Sequence, residues 1–269
     1  MHIVVAAKQV LDPEGINSYA LWGKLAVDDT GRGFTVGDVI PRIINAYDEQ
    51  AMEAALRIRD SGVECTITAV SVGSETNADV LKRCLALGAE AAILVTDPDA
   101  MRQDGFRTAM LIAAVVRQLG DVDVVICGRQ GSDYDQGVVP GALAEYLEWA
   151  LVTLASSVEA SQGTLRIARV TPAGIEEVEA DLPVVVSVSN EIGLARFPTS
   201  RGMLEARRKK PTVYEAAILL GADARPGVEL AHVTVPDVQG QCEFISGDSP
   251  NAIVSKLFKQ LGTAGVLRD

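Results

Sequence analysis

The chain has 269 residues, 48% of them hydrophobic, 22% charged and only 4% aromatic, with a formal net charge of −12. This composition fits a globular protein with an aliphatic core, built as one large domain or one domain with arms. It excludes the basic footprint of a nucleic-acid binder, and no apolar run is long enough to span a bilayer as a helix.

A strand pattern begins at residue 3, which leaves no room for a leader segment and points to a cytoplasmic location. Short apolar runs then alternate with helical spacing. Residues 3–7 read as a strand and 48–60 as a helix, with Ala51, Ala55 and Ile58 on one face. Residues 65–72 form a second strand and 75–87 a helix that stops at Gly88. Residues 91–95, 105–119, 122–127 and 138–149 continue the alternation as strand, helix, strand and helix. Such a rhythm, with right-handed crossovers, gives an open, mostly parallel sheet with helices on both faces. Ligands of such sheets bind beyond the carboxyl ends of the strands.

The pattern changes after Trp149. Residues 151–159, 164–170 and 174–180 are strand-like and separated by turn signals, which predicts an antiparallel extension. Residues 182–188 read as another buried strand and 202–208 as a helix. Residues 211–236 read as an extended arm, and 248–261 as a final helix started by Ser249 and Pro250. The expected division is a nucleotide-binding α/β domain over 1–189, followed by a loop, arm and helix over 190–269. The long connection at 12–41 is rich in Gly and Asp, and its length suggests a functional segment.

Four cysteines (Cys65, Cys84, Cys127 and Cys242) show neither metal-ligand nor redox-pair spacing. They read as structural thiols in a reducing compartment. His2 and His232 have no catalytic neighbours in sequence. No catalytic residue and no metal site are expected.

Chemistry concentrates at residues 127–141, CGRQGSDYDQGVVPG. Gly128, Gly131 and Gly137 allow the backbone to approach a ligand closely. The helix that follows presents free N–H groups to a phosphate, and Pro140 suits its first turn. Ser132, Asp133, Asp135 and Gln136 offer polar contacts. The dinucleotide fingerprint GxGxxG and the P-loop are both absent. Read alone, the loop is either a plain strand-to-helix turn or a phosphate site.

The same segment resembles the G-[KR]-Q-x-x-D-x-D loop of electron-transfer flavoprotein β subunits. The resemblance runs nearly the whole chain in order: Ala6-Ala7-Lys8-Gln9-Val10, Ile44-Asn45-Ala46-Tyr47-Asp48-Glu49, Ala86-Leu87-Gly88-Ala89, Leu182-Pro183-Val184-Val185, Arg196-Phe197-Pro198 and the basic run at 207–210. It implies an adenine-nucleotide α-hydrolase-like or Rossmann-like α/β fold with a C-terminal arm. It also implies a heterodimer with an α subunit that carries most of the FAD site, while this chain holds AMP or a second FAD. The nucleotide contacts carried over are Ala6, Asn45, Val72 and the 128–139 loop: Gly128, Arg129, Gln130, Gly131, Ser132, Asp133, Asp135, Gln136, Gly137, Val138 and Val139. Asn45 has a second reading as a helix-capping residue. Because Gln136, Val138 and Val139 stand where relatives often carry Thr or Gln, phosphate binding is expected to shift to backbone N–H groups, Arg129 and Ser132. Residues 196–210 resemble the family's docking loop for acyl-CoA-type dehydrogenases or other redox partners, through Arg196, Phe197, Ser200, Met203, Leu204, Arg207 and Arg208. Leu is usual where this chain has Ser200. The rival readings are a nucleotide-sensing binding protein of the universal-stress type, and an adenylate-forming or nucleotide-hydrolysing enzyme. The enzyme would need a phosphate-activating SGGxD motif, which is absent.

Overall fold

The computed structural model describes residues 1–17, 26–35, 40–98, 104–161, 163–221, 228, 231–235 and 242–267. Parts of the 12–41 connection and of the 211–236 arm therefore lie outside the described residues. By compactness the chain divides into Met1–Thr234 and Val235–Asp269.

The first unit opens with β1 (His2–Ala6), β2 (Gln9–Leu11), α1 (Pro13–Asn17), β3 (Ala26–Val27), β4 (Phe34–Thr35), β5 (Arg42–Ile44) and α2 (Ala46–Asp60). It continues with β6 (Thr66–Gly73), a 3₁₀ turn at Glu75–Asn77, α3 (Ala78–Leu87), β7 (Ala91–Thr96), α4 (Gly105–Leu119), β8 (Val124–Gly128) and α5 (Val139–Leu147). Then come β9 (Ala150–Ser161), β10 (Thr164–Thr171), β11 (Gly174–Asp181), β12 (Val184–Val188), α6 (Ser200–Ala206), β13 (Thr212–Glu215) and α7 (Ala216–Leu220).

The main sheet runs β11-β10-β9-β12-β8-β1-β6-β7-β13. From β9 to β13 every neighbouring pair is parallel, and β10 and β11 add an antiparallel edge. This is the α/β architecture expected. Strand residues alternate between two cores, as the pleat requires. Ile3 and Val5 face a core built with α2 and α3, whereas Val4 and Ala6 face one built with α4 and α5. Burial on both faces explains why β1, β8 and β12 read as nearly continuous apolar runs. Each fully buried Val or Ile contributes about 1.5–3 kcal/mol.

One expectation needs correction. The segment after 211 is not an arm at its start: β13 pairs in parallel with β7 from Thr212↔Ile93 to Glu215↔Thr96 and leads into α7. An edge strand has one neighbour, and most of the β13 side chains remain exposed, so no apolar run marks it.

Strand order places a reversal at the centre of the sheet. From β1 the chain builds β6 and β7 on one side, then returns through α4 to lay β8 on the other side of β1. The connections after β1 and β8 leave in opposite senses, and a crevice opens between their carboxyl ends.

In the second unit, α8 (Pro250–Thr263) begins at Ser249, whose Oγ accepts from the Ala252 N–H, with Pro250 in the first turn. No residue of α8 is buried, and Val254, Leu257 and Phe258 are exposed.

Candidate functional site

A cavity of about 680 Å³ occupies this crevice, within the size range of small-molecule and cofactor sites. Its walls include Ala6 and Lys8 after β1, Asn45 and Asp48 from the start of α2, Val72 at the end of β6, Asn77, and Gly105 and Thr108 of α4. The 128–139 loop and Pro140 close one side.

The loop is held in place by the first turn of α2. Asn45 is buried, and its Nδ2 donates to the Gln130 carbonyl (2.8 Å) while its Oδ1 accepts from the Ser132 N–H (3.2 Å). Its backbone N–H donates to the Lys8 carbonyl (2.9 Å). Asn45 occupies the N-cap position of α2 but makes no side-chain cap; both ends of its amide are spent on the loop. Three residues on, the buried Asp48 accepts from the Lys8 N–H (2.7 Å) and the Gly128 N–H (3.1 Å). One carboxyl thus ties together the two strand ends that border the crevice. Burial pushes this carboxyl up to about 7, against the opposing pull of its hydrogen bonds and of Lys8.

Gly128 is required by this approach. A Cβ there would lie 2.7 Å from the Tyr47 Cβ and would collide with Asp48 Oδ1. Gly137 has φ +63°, a left-handed conformation that returns the chain towards α5. The first turn of α5 has no side-chain cap, because its N-cap is Val138. Its N–H groups and positive dipole end are therefore available at the cavity wall. Ser132 Oγ is buried without a hydrogen-bond partner and belongs to a residue that lines the cavity. A buried hydroxyl in this state is open to a hydrogen bond from a water or a bound group.

Of the nucleotide contacts expected from sequence, Ala6, Asn45, Val72, Gly128, Gln130, Gly131, Ser132, Asp133, Gln136, Gly137, Val138 and Val139 all border this one cavity. Arg129 and Asp135 do not. The Arg129 guanidinium lies 5.8 Å from the centre of the Tyr47 ring, and Asp135 accepts from Gln130 Nε2 (2.7 Å) at φ +51°. Of the groups expected to take phosphate, the loop backbone and Ser132 line the cavity and Arg129 does not. In sequence, Lys8 and Asp48 stand out only as parts of matching motifs. Lys8 Nζ bonds Asp133 (2.7 Å) across the loop. Asn77, which donates to Ser71 Oγ (3.0 Å) and the Val72 carbonyl (3.2 Å), carried no sequence signal.

The 196–210 segment divides into anchors and exposed groups. Arg196 is turned inward: its Nε and Nη2 donate to the two Glu53 oxygens (2.8 and 3.1 Å), and its Nη1 pairs with Asp60 (2.7 Å). Burial raises the Glu53 carboxyl, but the Arg196 bonds outweigh that effect and hold it below its ordinary range. The guanidinium is thus engaged by α2, with 36% of the side chain still exposed. Lys209 similarly donates to the Glu90 carbonyl (2.9 Å). Phe197 is 87% exposed, and Ser200, Met203, Leu204, Arg207 and Arg208 are exposed on or beside α6. Thr199 Oγ1 caps α6 by accepting from the Gly202 N–H (3.0 Å).

Cys84 and Cys127 are buried, and burial pushes both thiols up, which keeps them protonated and inert. Among the described residues no group of His, Cys, Asp or Glu could hold a metal ion, and no helix is long and apolar enough to cross a membrane.

A family model described as the electron transfer flavoprotein domain matches residues 34–219. The chain belongs to the electron transfer flavoprotein family. It is 26% identical over 274 residues to the electron transfer flavoprotein subunit beta of Megasphaera elsdenii, covering 97% of this chain and 98% of that one. It is 30% identical over 266 residues to the subunit beta of Clostridium acetobutylicum, covering 96% and 98%. It is also 26% identical over 267 residues to the caffeyl-CoA reductase-Etf complex subunit CarD of Acetobacterium woodii, covering 97% and 98%. Matches of this extent place the chain with electron-transfer flavoprotein β subunits and do not favour a universal-stress-type protein.

Proposed function

We propose that this chain is the nucleotide-holding β subunit of a heterodimeric electron carrier in the cytoplasm. It would help pass electrons from an acyl-CoA-type dehydrogenase, another redox partner or NADH to a respiratory or low-potential acceptor. The observation that carries the reading is the cavity between the ends of β1 and β8, where the uncapped first turn of α5 and the unpartnered Ser132 hydroxyl meet.

An adenine nucleotide fits this donor set. Phosphate oxygens would accept from the first N–H groups of α5 and from Ser132. Ala6 and Val72 would flank the apolar part, and Gln136 would meet the ribose or base. The nucleotide is AMP or the adenine half of a second FAD. When bound, flavin takes up and releases the electrons, while protein groups position it and exclude water. Residues from 190 onward carry the partner contacts: Phe197, Met203 and Leu204 with Arg207 and Arg208 as a docking face, and the apolar residues of α8 against an α subunit.

Co-expression with an α subunit of the same family tests this. The expected result is a stable one-to-one complex that contains FAD and is reduced by a dehydrogenase. A chain that remains single and gains no flavin beside that subunit would contradict it, as would ATP turnover by the chain alone.

A further inference from the structure

Three charged groups converge where the loop meets β1. Asp48 lies buried at the cavity wall between the ends of β1 and β8. Lys8 follows β1, and its ammonium is already held by Asp133 of the loop at 2.7 Å. The other groups packed around Asp48 bring no positive charge. Cys127 of β8 and Cys84 of α3 are buried thiols, and Glu49, next to Asp48 on α2, is paired with Arg83 (2.7 Å). Arg32 and Arg42 also border the cavity, but both are more exposed to solvent than Asp48. With both carboxylates ionised, the Asp48–Lys8–Asp133 group carries one more negative charge than positive.

An anionic nucleotide entering such a site meets an uncompensated buried carboxylate, which a low-dielectric setting makes costly. Of the two carboxylates, Asp133 has its own ammonium partner and is partly exposed. Asp48 has only neutral hydrogen-bond partners, the Lys8 and Gly128 N–H groups and the Asn45 side chain, and Gly128 is packed directly against its Oδ1.

We infer that Asp48 is a proton-coupled positioning residue: the anionic nucleotide binds together with a proton from solvent that neutralises the Asp48 carboxylate. This rests on the reading of the cavity as a nucleotide site. The Lys8 and Gly128 N–H groups each use one lone pair on a different oxygen, so a proton on a remaining lone pair leaves both bonds in place and the strand ends joined while the charge changes. That burial already lifts this carboxyl to about 7 means the proton is at hand near neutrality. Nucleotide affinity then rises as pH falls, and the nucleotide in turn raises proton affinity at Asp48, because the two equilibria are linked.

The test is calorimetric titration of AMP into the full-length chain from about pH 6 to about pH 8, for wild type and Asp48→Asn. The phosphate group of AMP titrates in this range in both proteins, so only the difference between the two profiles counts. The wild-type affinity is expected to lose about tenfold more across the interval than that of the variant. Superimposable profiles would overturn the inference. Should Asp48→Asn not fold, difference infrared spectroscopy on wild type serves instead. AMP added at about pH 8 should produce a protonated-carboxyl band, and its absence would overturn the inference. Absence of AMP binding at every pH would overturn the nucleotide reading itself and this inference with it.

Discussion

The Asn45 side-chain amide donates to the Gln130 carbonyl at 2.8 Å, joining residues 85 positions apart. With the Ser132 N–H returned to its Oδ1, this one side chain sets the course of the loop. Asn45→Ala leaves a part-buried carbonyl and a part-buried N–H unpaired, at a cost of about 1–3 kcal/mol. Denaturant unfolding should show that loss, and hydrogen exchange should speed up at the loop amides while the amides of β1 and β8 stay protected.

Ser132 has the opposite profile. Its Oγ is buried and without a partner, so Ser132→Ala should leave stability within about 1 kcal/mol of wild type. AMP affinity should fall about tenfold, as expected for one lost bond to a charged acceptor. An unchanged affinity would mean that the hydroxyl does not face the ligand.

Arg196 and Arg208 separate anchoring from docking. Arg196→Met breaks the bidentate contact with Glu53 and should cost about 1–3 kcal/mol. Arg208→Ala, at an exposed position, should stay within about 0.5 kcal/mol of wild type while weakening partner association. Glu53 lies below its ordinary range when folded. Its contribution is therefore present above the unfolded carboxylate range and lost as pH falls through the folded value. Arg196→Met should flatten that acid limb in unfolding experiments.

Asp48 predicts a slope of the other sign. Its carboxyl is raised to about 7 in the folded chain, so the folded state binds the extra proton between the ordinary carboxylate range and neutrality. Stability attributable to it is fully present below about pH 4 and is lost as pH rises to about 7, by up to about 1.4 kcal/mol per pH unit. Asp48→Asn should remove this slope, measured as the difference between unfolding free energies of the two proteins across that range.

Much of this arrangement could be read before the fold was known, for a physical reason. Strands buried on both faces, such as 124–128 and 184–188, appear as runs dominated by Val and Ile. Helices with one buried face show their spacing, and glycines that accommodate close approach are visible as a cluster. Long-range hydrogen bonds leave no such trace. Nothing local to Asp48 indicates that it joins Lys8 to Gly128, and nothing local to Arg196 indicates that Glu53 holds it inward. Arg129 looked like a phosphate ligand by charge and position, yet its side chain packs over Tyr47. β13 escaped notice because an edge strand with exposed side chains lacks an apolar run. The resemblance to a family supplied what periodicity could not: the coincidence of Ala6, Asn45, Val72 and the loop at one cavity.

An adenine nucleotide is proposed for the crevice between β1 and β8. The most direct measurement is to purify the chain with an α subunit, denature the complex and identify the released nucleotides by mass spectrometry. The expected release is FAD together with either AMP or a second equivalent of FAD, with that second nucleotide lost in Asn45→Ala. A complex that releases a single FAD and no other adenine nucleotide would contradict it.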